Sequence, residues 1–260
     1  MARLELQSIS KVYGTGEDAV TALEDVSLSV GDSEFVSILG PSGCGKSTLL
    51  RIVDGLLKPT TGTVSIDGTE VSGSGQDRGM VFQSFNLFPW RTVRENIEFG
   101  LEVAGVSKEN RRKEAQKYIE LVGLNNFGDS YPKELSGGMQ QRVGLARALA
   151  IDPEILLMDE PFGALDAQTR ELMQTELLKI WSENQKTSVF VTHDIEEAIF
   201  LSDRVVVLTD RPGRIHEIID VPFDRPRFGR DLKARPEFGE LRERIWDLLF
   251  EDTQQPATVQ

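Results

Sequence analysis

Residues Gly40-Pro41-Ser42-Gly43-Cys44-Gly45-Lys46-Ser47-Thr48 read GPSGCGKST and follow the pattern G-x-x-x-x-G-K-[ST]. The apolar run EFVSIL ahead of them reads as a strand, and TLLRIVDGL behind them as a helix. In that setting the glycines let successive backbone N–H groups converge on phosphate oxygens, and the helix adds the positive end of its dipole. Lys46 is expected to reach the β and γ phosphates of a nucleoside triphosphate, and Ser47 to ligate Mg²⁺. Cys44, inside the loop, has two readings: a thiol whose pKa the helix end lowers, or a small filler residue.

Outward from this loop, the first ninety residues are strand-rich, with RLELQSISKVY, VSLSV, EFVSILG, TVSIDG and GMVFQ separated by Gly, Asp and Pro turn signals. From Thr92 to about Ala150 the apolar spacing becomes helical, with Val93, Ile97 and Leu101 first and Ala115, Ile119 and Val122 later. EILLMDEP, TSVFVTHD and RVVVLTD then read as doubly buried parallel strands alternating with helices. The simplest architecture is a three-layer α/β core assembled from residues 1–87 and 149–230, with a helical subdomain inserted at 88–148. Phe238, Leu241, Ile245, Leu248 and Leu249 predict an amphipathic C-terminal helix within 231–250, and the polar residues 251–260 read as a flexible tail.

Composition narrows the function classes. A chain of 260 residues with 39% hydrophobic content can bury a substantial interior. The net charge of −13 disfavours nucleic acid held through its phosphates, and it also disfavours direct attachment to an anionic leaflet. The densest basic cluster, KENRRKEAQK from Lys108 to Lys117, is interleaved with glutamates at helical spacing and reads as a solvated helix face. No apolar run approaches the roughly eighteen residues of a membrane helix, and MARLELQSIS lacks signal-peptide character, so a cytosolic protein is expected. One cysteine excludes an internal disulfide and a cysteine-built zinc site, which suits a reducing compartment.

The candidate hydrolytic groups follow apolar strands. Ile155 to Asp159 reads as a buried strand ending in Asp159 and Glu160, which alternation along the strand would point in different directions. Asp159 is expected to position Mg²⁺, and Glu160 to orient or deprotonate the attacking water at the γ-phosphate. Gln83, after GMVF, and His193, after SVFVT, occupy equivalent strand ends, and His193 precedes a helix start at Asp194. His216 reads as an exposed strand residue. ELSGGMQQR, from Glu134 to Arg142, sets Ser136, Gly137 and Gly138 ahead of a helix. Taken alone it is either a serine cap or a second phosphate site.

In this order the residues resemble the ATP-binding subunit of ABC transporters, from Leu4 to about Pro226. GPSGCGKST resembles the Walker A motif, VFQ the Q-loop at Gln83, and LSGGMQQR the signature. ILLMDEP resembles Walker B, GALD the D-loop at Asp166, and VTHD the switch-histidine loop. Met139 replaces the glutamine of many family members, while Ser136, Gly137 and Gly138 remain. The resemblance implies a P-loop NTPase core of ABC type with an N-terminal antiparallel β subdomain. It also implies adenine stacking on Tyr13 and a share for Gln83 in the Mg²⁺ site.

Further implications are a head-to-tail dimer in which Ser136 to Gly138 of one copy close over ATP on the other copy's Walker A loop, with Asp166 at the interface. The aromatic stretch Phe85, Leu87, Phe88, Pro89, Trp90, with Arg91, would help form a groove for a transmembrane permease subunit. That places the chain at the cytoplasmic face of the plasma membrane, peripheral through the permease and served indirectly by a substrate-binding protein. LFPWRTVRENIEFGLEVAGV and TDRPGRIHEIIDV most resemble importers for nitrate, sulfonate and taurine. The alternatives are a soluble ABC-type ATPase of DNA repair or translation, or an importer ATPase for another solute class.

Overall fold

A computed structural model of the chain describes residues 3–163, 165–227 and 231–250. In chain order its elements are β1 (Leu4–Tyr13), β2 (Val20–Val30), β3 (Phe35–Leu39), α1 (Lys46–Val53), β4 (Thr61–Ile66), β5 (Thr69–Glu70), β6 (Arg78–Val81), α2 (Val93–Val103), α3 (Lys108–Leu121), α4 (Gly137–Ala150), β7 (Ile155–Asp159), α5 (Ala167–Asn184), β8 (Thr187–Thr192), α6 (Ile195–Leu201), β9 (Arg204–Leu208), β10 (Ile215–Asp220) and α7 (Pro236–Phe250). They fall into two compact units, one up to Gly75 and again from Thr187, the other Gln76–Lys186.

In the first unit, β1 joins β2 and β4 in an antiparallel sheet ordered β2-β1-β4-β5. Strand β2 starts at Val20, ahead of the quoted VSLSV, because the register shifts along β1 carry the pairing past Asp25, a residue in the left-handed region at φ 50°. The unit's other strands are parallel at the centre: β3 lies between β8 and β9, and β10 adds antiparallel to β9. Every residue of β3 and β8 is buried, which explains why their sequences read as continuous apolar runs. Helix α1 packs on β8, and α6 packs on β3, β8 and β9. Helix α7 lies on α6 and β9, burying Phe238, Leu241 and Ile245. It begins at Pro236 rather than near 231, since a proline fits the first helical position and disfavours helix in the residue before it.

In the second unit, β6 and β7 pair in parallel, and α2, α3 and α4 pack on one another, with α4 also against β6 and α5. A capping box of Thr92 and Glu95 starts α2. The buried Glu98 carboxylate on α2 pairs with Arg111 on α3 at 3.2 Å. Helix α4 packs closely on β6. A Cβ on Gly79 of β6 would stand 2.6 Å from the Ala148 carbonyl oxygen, so only glycine fits that contact. Along α3 the basic cluster is mostly exposed, as expected of a solvated face. The expected insert 88–148 spans α2 to α4, and β6, β7 and α5 share its compact unit. The expected tail 251–260 lies outside the described residues. No helix among the described residues is long and apolar enough to cross a membrane.

Candidate functional site

Strand β3 delivers the chain to Gly40, and α1 begins at Lys46. Between them Gly43 and Gly45 take φ of 83° and 105°, the left-handed region that favours glycine. A Cβ on Gly45 would fall 2.7 Å from Leu23 Cδ2 and 2.8 Å from the Ala22 carbonyl oxygen, so the loop is seated directly on β2. Lys46 is buried and folds over the loop, its ammonium donating to the Gly40 and Pro41 carbonyls at 2.8 and 2.9 Å. Pro41, Ser47 and Thr48 are half-buried and Ser42 is exposed, so polar groups remain on the outer surface of the loop.

Cys44 is fully buried, and burial pushes its pKa up, with the nearby Lys46 only partly opposing this. Of its two readings the filler residue stands; the expected lowering by the helix end loses to desolvation. Tyr13, at the end of β1 and 40% exposed, shares a 3.2 Å hydrogen bond with the Thr48 hydroxyl, so a flat aromatic face stands beside the loop. The parallel register Leu39↔Thr192 carries His193 to the strand end next to Gly40, where it is exposed. Its approach is fixed by Thr192, whose hydroxyl takes the Asp194 N–H at 3.0 Å and donates to the buried Glu197 carboxylate. Asp194 then caps α6 through the Glu197 N–H. His193 also lines an open pocket of about 630 Å³ together with Trp246, Leu249 and Phe250 of α7, which the helical spacing alone did not reveal.

The second unit gathers the carboxylates. The register Val81↔Met158 brings the residues after β6 and β7 side by side, and Gln83 Nε2 donates to Glu160 Oε2 at 3.4 Å. Asp159 is buried at the end of β7, whereas Glu160 lies beyond the strand with φ 43°. Glu160 therefore leaves β7 through a left-handed turn in the backbone, and strand alternation does not set its direction. Such a conformation costs of order 1–3 kcal/mol and concentrates at functional sites.

Ser136 caps α4, its hydroxyl accepting the Met139 N–H at 3.3 Å. That bond uses one lone pair and leaves the hydroxyl proton, so the cap and a phosphate contact are compatible. Ser136 and Gly137 are exposed, and Gly138 is buried where a Cβ would stand 2.9 Å from Thr169 Cγ2. Thr169 in turn donates its N–H and hydroxyl to Asp166, the cap of α5. Those two bonds hold the Asp166 carboxyl below the usual carboxylate range. Signature and D-loop residues thus meet through Thr169.

Two residues that pattern reading missed hold the aromatic stretch. Arg147 of α4 donates to the Phe85 and Asn86 carbonyls at 3.1 and 2.7 Å and stacks over Phe88 at 5.9 Å. Asn96 of α2, fully buried, accepts the Phe88 N–H and donates to the carbonyls of Phe88, Arg91 and Thr92. Phe88 packs on Phe99, while Trp90 stays 71% exposed. Only an isolated arginine and asparagine inside helical periods marked these positions in the sequence.

A glycine loop between strand and helix, with a buried aspartate and a turned-out glutamate ending another strand, defines a phosphate-loop ATPase. The family model for the ABC transporter matches residues 23–163, and the chain belongs to that family, as an ATP hydrolase. It is 53% identical over 250 residues to an uncharacterized ABC transporter ATP-binding protein of Methanocaldococcus jannaschii, covering 96% of this chain and 92% of the relative. The nitrate import ATP-binding protein NrtD of Synechocystis is 48% identical over 95% of this chain and 94% of its own. The taurine import ATP-binding protein TauB of Roseobacter denitrificans is 49% identical over 90% and 88%. Among solved structures, the dimeric post-hydrolysis state of the ATP-binding cassette MJ0796 with ADP and Pi superposes with a TM-score of 0.74 at 39% identity, covering 85% of this chain and all of that one.

Proposed function

We propose that this chain is the ATP-hydrolysing subunit of an importer for a small solute of the nitrate, sulfonate or taurine class. The observation that carries this is near-full-length similarity to nitrate and taurine import ATP-binding proteins at 48–49% identity. Two copies bind head to tail around two ATP molecules, a reading supported by the related MJ0796 cassette having been solved as a dimer, in one case with ADP and Pi. Tyr13 stacks on adenine, the loop Gly40 to Thr48 with the Lys46 ammonium holds the phosphates, and Ser136 to Gly138 of the other copy close the site. The exposed residues Ser136 and Gly137 at the start of α4 support that closing role.

Glu160 orients or deprotonates the water, with Gln83 and His193 beside the γ-phosphate and Asp166 coupling the two sites. Mg²⁺ suits the donors present: the Ser47 hydroxyl, the buried Asp159 carboxylate and the Gln83 amide oxygen are hard oxygen ligands. When bound, the ion neutralises charge on the phosphates. Hydrolysis reopens the dimer, and the stretch Phe85 to Arg91, with Trp90 outward, passes the motion to a permease subunit at the cytoplasmic face.

The test is reconstitution with the membrane subunits and the solute-binding protein. One of nitrate, an alkyl sulfonate or taurine is expected to raise ATP turnover; stimulation by none of them, with another solute class effective, would overturn the solute assignment. Ser136→Arg is expected to abolish turnover with ATP binding intact. Full activity as a monomer would refute the head-to-tail pair.

A further inference from the structure

We propose that Arg211 is a positioning residue for the phosphate loop, orienting the Gly43–Cys44 peptide through the Gly43 carbonyl and holding a fixed positive charge against the loop. Its guanidinium donates to the Gly43 carbonyl oxygen twice, from Nε at 3.2 Å and from Nη2 at 3.1 Å. A Cβ on Gly43 would lie 3.3 Å from Nη2, so the guanidinium covers the face of the loop that glycine leaves open.

Because the peptide is planar and trans, a carbonyl turned toward Arg211 turns the Cys44 N–H the opposite way. That N–H points to the Pro41 carbonyl at 3.3 Å, closing the loop on itself. The same Pro41 carbonyl takes the Lys46 ammonium, so Arg211, the Gly43–Cys44 peptide and Lys46 form one connected chain of hydrogen bonds. Charge on one member polarises the next.

The segment presenting Arg211 is itself rigid. Residues 209–214 form a tight connection in which the Thr209 hydroxyl takes the Arg214 N–H and donates to the Pro212 carbonyl. Gly213 ties it to β2 by two backbone bonds, Gly213 N–H to Ala22 and Glu24 N–H to Gly213, both at 3.0 Å. A Cβ on Gly213 would fall 2.0 Å from the Cys44 carbonyl oxygen, so the two loops are in direct backbone contact. Arg214 adds an ion pair with Glu24 at 2.7 Å. The guanidinium is therefore held where the loop's own backbone leaves a carbonyl facing outward.

Arg211 is exposed, and Arg211→Ala and Arg211→Lys are expected to fold, with melting temperatures near that of the parent. Dissociation constants of the full chain for ATP, ADP and AMP separate positioning from general damage. In Arg211→Ala, ATP and ADP are expected to weaken about five- to twentyfold, the scale of a charge-assisted hydrogen bond at a surface. AMP, which lacks the β-phosphate, should change less than about twofold. KM for ATP should rise in step while kcat stays within about twofold. Arg211→Lys, keeping the charge and one donor, should fall between parent and alanine variant. Unchanged ATP and ADP binding in Arg211→Ala, an equal loss for AMP, or a lysine variant no better than alanine would overturn the assignment.

Discussion

Asn96 offers a prediction whose size follows from the hydrogen-bond inventory. Its side chain is fully buried and makes four bonds to the turn before α2, one with the Phe88 N–H and three with carbonyls. Replacement by alanine does not orphan all four. The Phe88 carbonyl keeps the Arg91 N–H, and the Thr92 carbonyl keeps the N–H of residue 96 itself. The Phe88 N–H and the Arg91 carbonyl lose their partner. At about 1–3 kcal/mol for each buried group left unpaired, with Phe88 and Arg91 half-buried, the expected loss is about 2–4 kcal/mol. Urea denaturation of Asn96→Ala would measure it through the shift in midpoint at constant slope. Asn96→Leu, close in volume, should do no better, since the deficit is in polar pairing and not in packing. Loss below about 0.5 kcal/mol, the range of an ordinary surface change, would refute this account of the turn.

Glu160→Gln should bind ATP normally, lower turnover about 10²- to 10⁴-fold, and accumulate as an ATP-bound dimer on size exclusion; normal turnover would remove Glu160 as the base. Gly45→Ala, at φ 105° and with its Cβ 2.8 Å from the Ala22 carbonyl oxygen, should lose at least about tenfold in ATP affinity while circular dichroism stays native. Unchanged affinity by calorimetry would mean that the loop tolerates a side chain there. Native Cys44 should alkylate with iodoacetamide at pH 8 at least about tenfold more slowly than a free thiol, because a raised pKa keeps it protonated where an ordinary thiol near 8.5 begins to ionise. Unfolding should remove the difference, and a native rate equal to the free thiol would contradict the burial.

The motifs were legible because each is a local device. GPSGCGKST needs only its own glycines and the dipole of the following helix, and apolar runs such as ILLMD and TSVFVT announce strands covered on both faces. The cap at Ser136 and the helix start at Asp194 were equally local, resting on a side-chain oxygen and an N–H three residues on. Less legible were groups whose partners are distant in sequence. Arg147 reaches back to Phe85 and Asn86, and Arg211 reaches Gly43 across 168 positions, and no spacing rule encodes either pair.

By itself, the sequence determined the phosphate loop, the residue types at each strand end and the helix starts at Ser136 and Asp194, since these follow from periodicity, glycine freedom and capping chemistry within a few residues, while the order of the motifs gave the resemblance to a class of ATPase. Tertiary structure alone decided the states those residues take. Burial outweighs the helix end and Lys46 at Cys44. A left-handed turn, not the pleat, carries the chain from Asp159 into Glu160. The register Val81↔Met158 brings Gln83 to Glu160, and a connection tied to β2 sets Arg211 over the phosphate loop. Each of these depends on which segments pack together, and desolvation and register exist only once they have.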